Sequence, residues 1–354
     1  MSVTLIVEPN QSGHRLYYVR LLAQAAVARG DEVVLALSEA ASATDESGLH
    51  LSGIAESVTI VSARDFGVDA VAELSRRYDA AITVVPDGDR FAMRLARTRG
   101  GWSGQGALSV LIMREVAQPG RLSMVVAAKS RIRTALFHRA SRLPRVRLSV
   151  LKSATWTGDS MFACAPDPVS LACGDDDISE LRAAWNLEDD RYWFGVLGAI
   201  FDRKNVPLVA RALRAAEAQN SGLLIAGRCD PEAARAMAGP LAELTAAGAK
   251  VVVVDRLLSE LELDAAVTAV DCVVLAHSNE GPSGLFGKAA AAGTRVVAAG
   301  ALSLREDARH VPSLASWVPL DETALMGAMR RAQALHRPTA VFAPENARFA
   351  EALL

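Results

Sequence analysis

Several things are scarce in this 354-residue chain, and each absence narrows its setting. No run approaches the ~18 uninterrupted apolar residues that a membrane-spanning helix needs. The start, MSVTLIVEPNQ, lacks a basic segment followed by an apolar block, so no secretory leader is expected. The four cysteines (Cys164, Cys173, Cys229, Cys272) have neither zinc-ligand spacing nor the density of a disulfide scaffold, which fits a reduced, cytoplasmic setting. Aromatics are only 5% of residues, which disfavours an all-β sandwich. Acid is locally missing too: between Glu115 and Asp159 stand nine basic residues and no acidic one. That stretch, 121–152, reads either as a solvated helix face or as a patch drawn to an anionic membrane surface, peripheral on its inner face. It lacks the interleaved aromatics of base stacking, so nucleic acid is not an expected partner.

What is abundant is alanine, in a chain that is 51% hydrophobic and 22% charged. The length suits two domains of about 150 residues each. Val3–Val7 is a short apolar run, then comes a loop with Gly13, a helical pattern in LYYVRLLAQAAVA and a second strand in EVVLALS. Strand, loop, helix and strand within ~40 residues make a βαβ unit, which builds parallel sheets. SVTIVS, DAAITVVP and ALSVLIM continue the rhythm. It breaks at APDPVSLACGDDD, an exposed-linker composition. A second alternation then runs through YWFGVLG, GLLIAG, KVVVV, DCVVLA and TRVVAA, whose nearly unbroken apolar strands suit a sheet covered on both faces. The expected fold class is α/β: residues 1–165 as a first Rossmann-like domain, 166–178 as linker, 179–336 as a second, and 337–354 as a terminal segment packing back on the first.

The chemistry concentrates in DCVVLAHSNEGPSGLFGKAAAAGTRVVAAG, residues 271–300. A buried strand leads into a polar turn, Ser283 is placed to cap a helix, and Gly293 to end it. The turn Gly281–Gly284 then lies at the carboxyl edge of a parallel sheet, where ligands bind. The N–H groups of a helix's first turn, with about +0.5 of partial charge, suit a diphosphate. Glu280 is an acceptor for sugar hydroxyls. In GVLGAIFDRKN a second loop brings Arg203 and Lys204 to the same edge, cations matched to phosphate oxygens. Each feature alone is also compatible with a helix that binds nothing.

Together these stretches resemble the carboxyl-terminal domain of GT-B glycosyltransferases of family four, across 193–205, 222–228, 251–263 and, without a gap, 270–300. SGHRLYYVRLLAQAAVARGDEVVLAL resembles the family's glycine loop, first helix and second strand more loosely. The resemblance implies GT-B architecture, two doubly wound domains facing across a cleft. It implies transfer of a sugar from a nucleotide diphosphate sugar to an acceptor hydroxyl, retaining and without metal or other cofactor, in polysaccharide or glycoconjugate synthesis. Glu280 falls on the family's sugar-binding glutamate, Gly281, Ser283, Gly284 and Leu285 on its phosphate-holding turn, and Lys204 on its diphosphate lysine. The acceptor, a glycan or lipid-linked saccharide, is implied near Gly13, His14, Arg15 and Arg114.

Three positions depart from the family pattern. Lys288 stands where a second glutamate binds ribose, Ala199 where an arginine assists the lysine, and Arg114 is the nearest replacement for a histidine facing the donor sugar. One expectation is that Lys288 and Arg203 restore the charge lost at Ala199; the other is that Lys288 points to solvent. The departures also leave open a non-catalytic GT-B-like binding subunit, and a nucleotide-sugar epimerase ranks after that.

Overall fold

A computed structural model describes residues 1–10, 15–42, 44–113, 124–156, 158–217, 220–281, 283–343 and 346–354. The chain forms two compact units. The first comprises Met1–Lys152, Gly158–Pro168 and Asn346–Leu354, the second Ser153–Thr157 and Val169–Glu345.

The first unit is a seven-stranded sheet of β1 (Val3–Glu8), β2 (Glu32–Leu37), β3 (Thr59–Ser62), β4 (Ala80–Val85), β5 (Ala107–Ile112), β6 (Val146–Lys152) and β7 (Ala163–Pro166). Its order is β3-β2-β1-β4-β5-β6-β7, and every pairing is parallel. Alternate residues of each strand enter opposite cores, as the period of two requires. Leu5, Val7, Val110 and Ile112 pack on one face. Ile6, Leu35, Val84 and Leu111 pack on the other against helix α1 (Arg15–Ala28). Asp31, just after this helix, accepts from Thr4 Oγ1 at 2.8 Å and Arg29 Nε at 3.0 Å, pinning the helix end to β1. Burial alone would raise the Asp31 carboxyl, but bonds from Ser2, Arg29 and Thr4 and the charge of Arg29 hold it below the ordinary value. Helix α2 (Met124–Ser141) precedes β6.

The second unit holds a six-stranded, all-parallel sheet ordered β10-β9-β8-β11-β12-β13. Its strands are β8 (Tyr192–Leu197), β9 (Ser221–Ala226), β10 (Lys250–Val254), β11 (Cys272–His277), β12 (Arg295–Gly300) and β13 (Ala315–Val318). β9 and β11 are buried at every position, so their unbroken apolar runs follow from cover on both faces. Helices α3 (Asp175–Ala184), α4 (Val206–Ala215), α5 (Glu260–Ala269), α6 (Gly284–Ala292) and α7 (Leu302–His310) belong to this unit. α6 ends as its sequence indicates, with Gly293 in the left-handed region at φ 63°.

The boundaries differ from the expected ones. The stretch 166–178 is no simple linker: β7 extends to Pro166, the first unit to Pro168, and α3 begins at Asp175 with three aspartates in its first turn. Those aspartates complement the helix dipole rather than mark an exposed connection. The terminal segment also divides, since only Asn346–Leu354 belongs to the first unit. There α8 (Ala347–Glu351) buries Phe349 against Tyr18, with ring centroids 4.8 Å apart. The Tyr18 hydroxyl donates to Asp167 at 2.5 Å, tying β7's end to the same core.

Candidate functional site

The second sheet has its topological switch point between β8 and β11, where chain order reverses. These strands pair only at Cys272↔Phe194 and Val273↔Gly195, whereas β8 and β9 pair over six residues. Beyond Val273 the two strands therefore separate toward their carboxyl ends, and the 201–205 loop occupies the opening. Lys204 Nζ donates to the Leu197 carbonyl at the end of β8, while Asn205 Nδ2 donates to the Ala276 carbonyl of β11 at 2.8 Å. The Ser278 N–H closes the loop onto the Arg203 carbonyl at 3.0 Å. Backbone here runs close: a Cβ on Gly227, at φ 136°, would stand 2.3 Å from the Gly198 oxygen, so only glycine fits.

Lys204 is thus a buried cation, 5% exposed. Burial, with the nearby charge of Arg203, pushes its ammonium down to about 7, against a weak opposing effect of Cys229. A Cβ placed on Gly198 would lie 3.5 Å from this ammonium and 3.7 Å from Leu285 Cδ1, which sets the lysine beside the first turn of α6. Ser283 occupies the N-cap position in extended conformation, but its side chain makes no capping bond. The helix start is consequently not capped by its own serine, and its N–H groups carry the partial positive charge that an anion would meet. Arg203 is exposed, with Nη1 3.4 Å from Asn279 Oδ1. Pro282 lies outside the described residues.

Glu280 has an additional task that its sequence neighbourhood does not show. Its two carboxylate oxygens accept the N–H groups of Leu302 and Ser303 at 2.8 and 2.9 Å, capping α7, whose own N-cap is Ala301. Ser303 Oγ donates back to the Gly281 carbonyl at 2.8 Å and accepts the Gly281 N–H at 3.2 Å. These two bonds fix the direction of the Glu280 carboxylate, whose oxygens are acceptors only.

Lys288 corrects an expectation. Its ammonium neither faces solvent nor joins Lys204: it donates to the Ser170 carbonyl at 2.8 Å, to Ser170 Oγ at 3.3 Å and to Asp264, which is fully buried. Asp264 also accepts the Ala172 N–H at 2.9 Å, so the pair fastens residues 170–172 to α5 and α6. Replacing Lys288 by methionine is expected to lower the unfolding free energy by about 3–5 kcal/mol, because Asp264 would be left buried and unpaired. Melting curves with and without nucleoside diphosphate check this, and ligand affinity of the folded protein is expected to stay unchanged. An unchanged melting temperature with weakened binding would return Lys288 to the ligand.

In the first unit, Gly13, His14 and Arg114 lie outside the described residues. Arg15, at the start of α1, pairs with Asp87 at 2.5 Å in the turn after β4. β1 and β4 flank that sheet's own switch point, and β1 ends there in Glu8, which sequence reasoning passed over. Its carboxyl is fully buried, accepts the Asn10 N–H at 2.8 Å and leaves Oε2 without a partner among the described residues. Burial pushes it up to about 8, reinforced by Asp87 and opposed by the Asn10 bond and Arg15. Of the basic stretch, Arg121 lies outside the described residues. Arg133 is spent on Asp89 at 2.8 Å and Arg145 on the carbonyls of Trp102, Gly104 and Gly106. Arg131, Arg139 and Arg142 are exposed, and so is Ile132. Among the described residues no helix is long and apolar enough to cross a membrane.

No family model matches this chain, and no curated protein matches it in sequence. Solved structures match almost its whole length at low identity. A glycosyltransferase from Rickettsia africae ESF-5 matches with TM-score 0.67 and 10% identity, over 99% of this chain and 92% of that one. HepE from Anabaena, solved in complex with UDP, matches with TM-score 0.67 and 14% identity over 99% and 94%. A sucrose-phosphate synthase from Thermosynechococcus elongatus matches with TM-score 0.66 and 16% identity over 100% and 95%. These neighbours are GT-B glycosyltransferases. With two parallel α/β units, each with its switch point between the first and fourth strands of its sheet, this chain has the GT-B fold.

Proposed function

We propose that the protein transfers a sugar from a nucleotide diphosphate sugar to an acceptor hydroxyl. The observation that carries this reading is the opened switch point of the second sheet, with Lys204 beside the first turn of α6 and Glu280 oriented three residues after β11. When the glycosidic bond to the diphosphate breaks, negative charge grows on the leaving phosphate oxygens. Lys204, Arg203 and the N–H groups opening α6 stabilise that charge without a metal ion. Glu280 takes hydroxyls of the sugar and fixes its reacting carbon. That HepE was solved with UDP supports a nucleotide as the ligand class.

Retention at the sugar carbon and a role in polysaccharide or glycoconjugate synthesis belong to the same reading. So does a glycan or lipid-linked acceptor taken by the first unit, with Arg131, Arg139 and Arg142 meeting an anionic membrane surface. The test is a screen of common nucleotide sugars for donor hydrolysis and transfer, with and without anionic vesicles. Turnover abolished by Glu280→Ala and Lys204→Ala supports transfer. No turnover with any donor would sink it.

A second reading, a nucleotide-binding subunit without transfer, is favoured by two observations: Ala199 supplies no charge, and Lys288 is committed to Asp264. Nucleoside diphosphate binding without turnover would establish it.

A further inference from the structure

β11 ends in His277, a position read from sequence only as the start of a polar turn. Val273 and Leu275, two and four residues earlier, pack with Phe286, Ala289 and Leu304 on the face covered by α6 and α7. Alternation along the strand therefore directs His277 to the face of α6, at the carboxyl end of the opened switch point. The residue is only 7% exposed, and its Nε2 is buried without a hydrogen-bond partner among the described residues. Buried polar atoms are nearly always satisfied, and an orphan lowers stability, so an apolar side chain would serve the fold better here.

The charges acting on the ring come from the 201–205 loop. Burial first, then Lys204 and Arg203, push the imidazole down to about 3. It is therefore neutral, with one N–H to give. The other titratable groups nearby are engaged elsewhere: Glu280 at α7, Lys288 at Asp264, and Cys229, after β9, acting on Lys204.

We propose that His277 is a further diphosphate-binding residue, donating its Nε2–H to a phosphate oxygen. The inference rests on the reading of this site as a nucleotide diphosphate site and adds a residue to it. An anion between the lysine and the ring satisfies the orphan nitrogen, so the stability forgone in the empty protein is recovered on binding. A neutral imidazole suits this place, because a further positive charge beside Lys204 and Arg203 would repel both.

The experiment compares wild type, His277→Leu and His277→Gln by calorimetric titration with ADP, GDP, UDP, CDP and inorganic pyrophosphate, alongside thermal melts of the empty proteins. The leucine variant should bind the preferred ligand about tenfold or more weakly, the loss of a hydrogen bond to a charged group, while melting no lower than wild type. The glutamine variant, which keeps an N–H, should stay within about threefold of wild type. Equal affinity of the leucine variant and wild type would overturn the proposal, as would a lower melting temperature with no loss of affinity. Should leucine prevent folding, the His277 ¹⁵Nε2 resonance of the wild type decides: it should move on adding pyrophosphate, and a resonance that stays put overturns the proposal. Wild type binding no nucleoside diphosphate would remove the donor-site reading itself, whereas wild type binding alongside an unaffected leucine variant removes only the role of His277.

Discussion

Lys204→Met should abolish nucleoside diphosphate binding at concentrations where the wild type saturates, a loss of about 10²-fold or more. The lysine brings the buried charge nearest the start of α6, and methionine keeps the stem without the ammonium. Its pH behaviour makes the prediction specific. In the empty protein the ammonium titrates at about 7, and an incoming polyanion raises that value, so binding takes up a proton above pH 7. Affinity should therefore fall by up to about tenfold per pH unit above 7 and be flat below about 6. Stability of the empty protein has the opposite slope. Between about 7 and the ordinary lysine value of 10.5 the unfolded chain binds the extra proton, so folding is favoured as pH rises, by at most about 1.4 kcal/mol per unit. Lys204→Met should flatten both slopes. A variant with both slopes intact would show that Lys204 is not the titrating group.

Glu280→Ala should separate two tasks held by one carboxylate. Losing the cap of α7 should lower the unfolding free energy by about 1–2 kcal/mol, read from urea or thermal melts. Glu280→Gln keeps one acceptor oxygen and should lose about half as much. If the same carboxylate orients the sugar, turnover should fall by about 10²-fold or more in both variants. Binding of the nucleoside diphosphate, which lacks the sugar to be transferred, should stay within about threefold of wild type. Loss of stability with unimpaired turnover would leave Glu280 as a helix cap alone.

Local signals made much of this legible in the sequence. The apolar runs of β8, β9 and β11 and the glycine ending α6 are properties of neighbouring residues, as is the lysine in the turn after β8. β6, β7 and β13 carry no such local signal. β6 reads as part of a basic stretch and β7 as part of a proline-rich one, while β13 is only four residues long and partly exposed. The site's finer chemistry is non-local. Nothing near Lys288 announces Asp264, which is 24 residues away in sequence and fully buried, and nothing near Glu280 announces α7, 22 residues on. His277 looks like a polar turn residue until strand alternation and the missing partner of Nε2 place it beside the cations. The fold follows from patterns of hydrophobicity, whereas the assignment of charges follows from which strands part and what fills the opening.

The most direct measurement is isothermal titration of the full chain with ADP, GDP, UDP and CDP at pH 6, 7, 8 and 9, in buffers of different ionisation enthalpy. Sub-millimolar binding of at least one of them is expected, with proton uptake that grows from pH 6 to 8 and vanishes in Lys204→Met. Absence of binding by all four at millimolar concentration, or binding that Lys204→Met leaves unchanged, would contradict the donor-site reading.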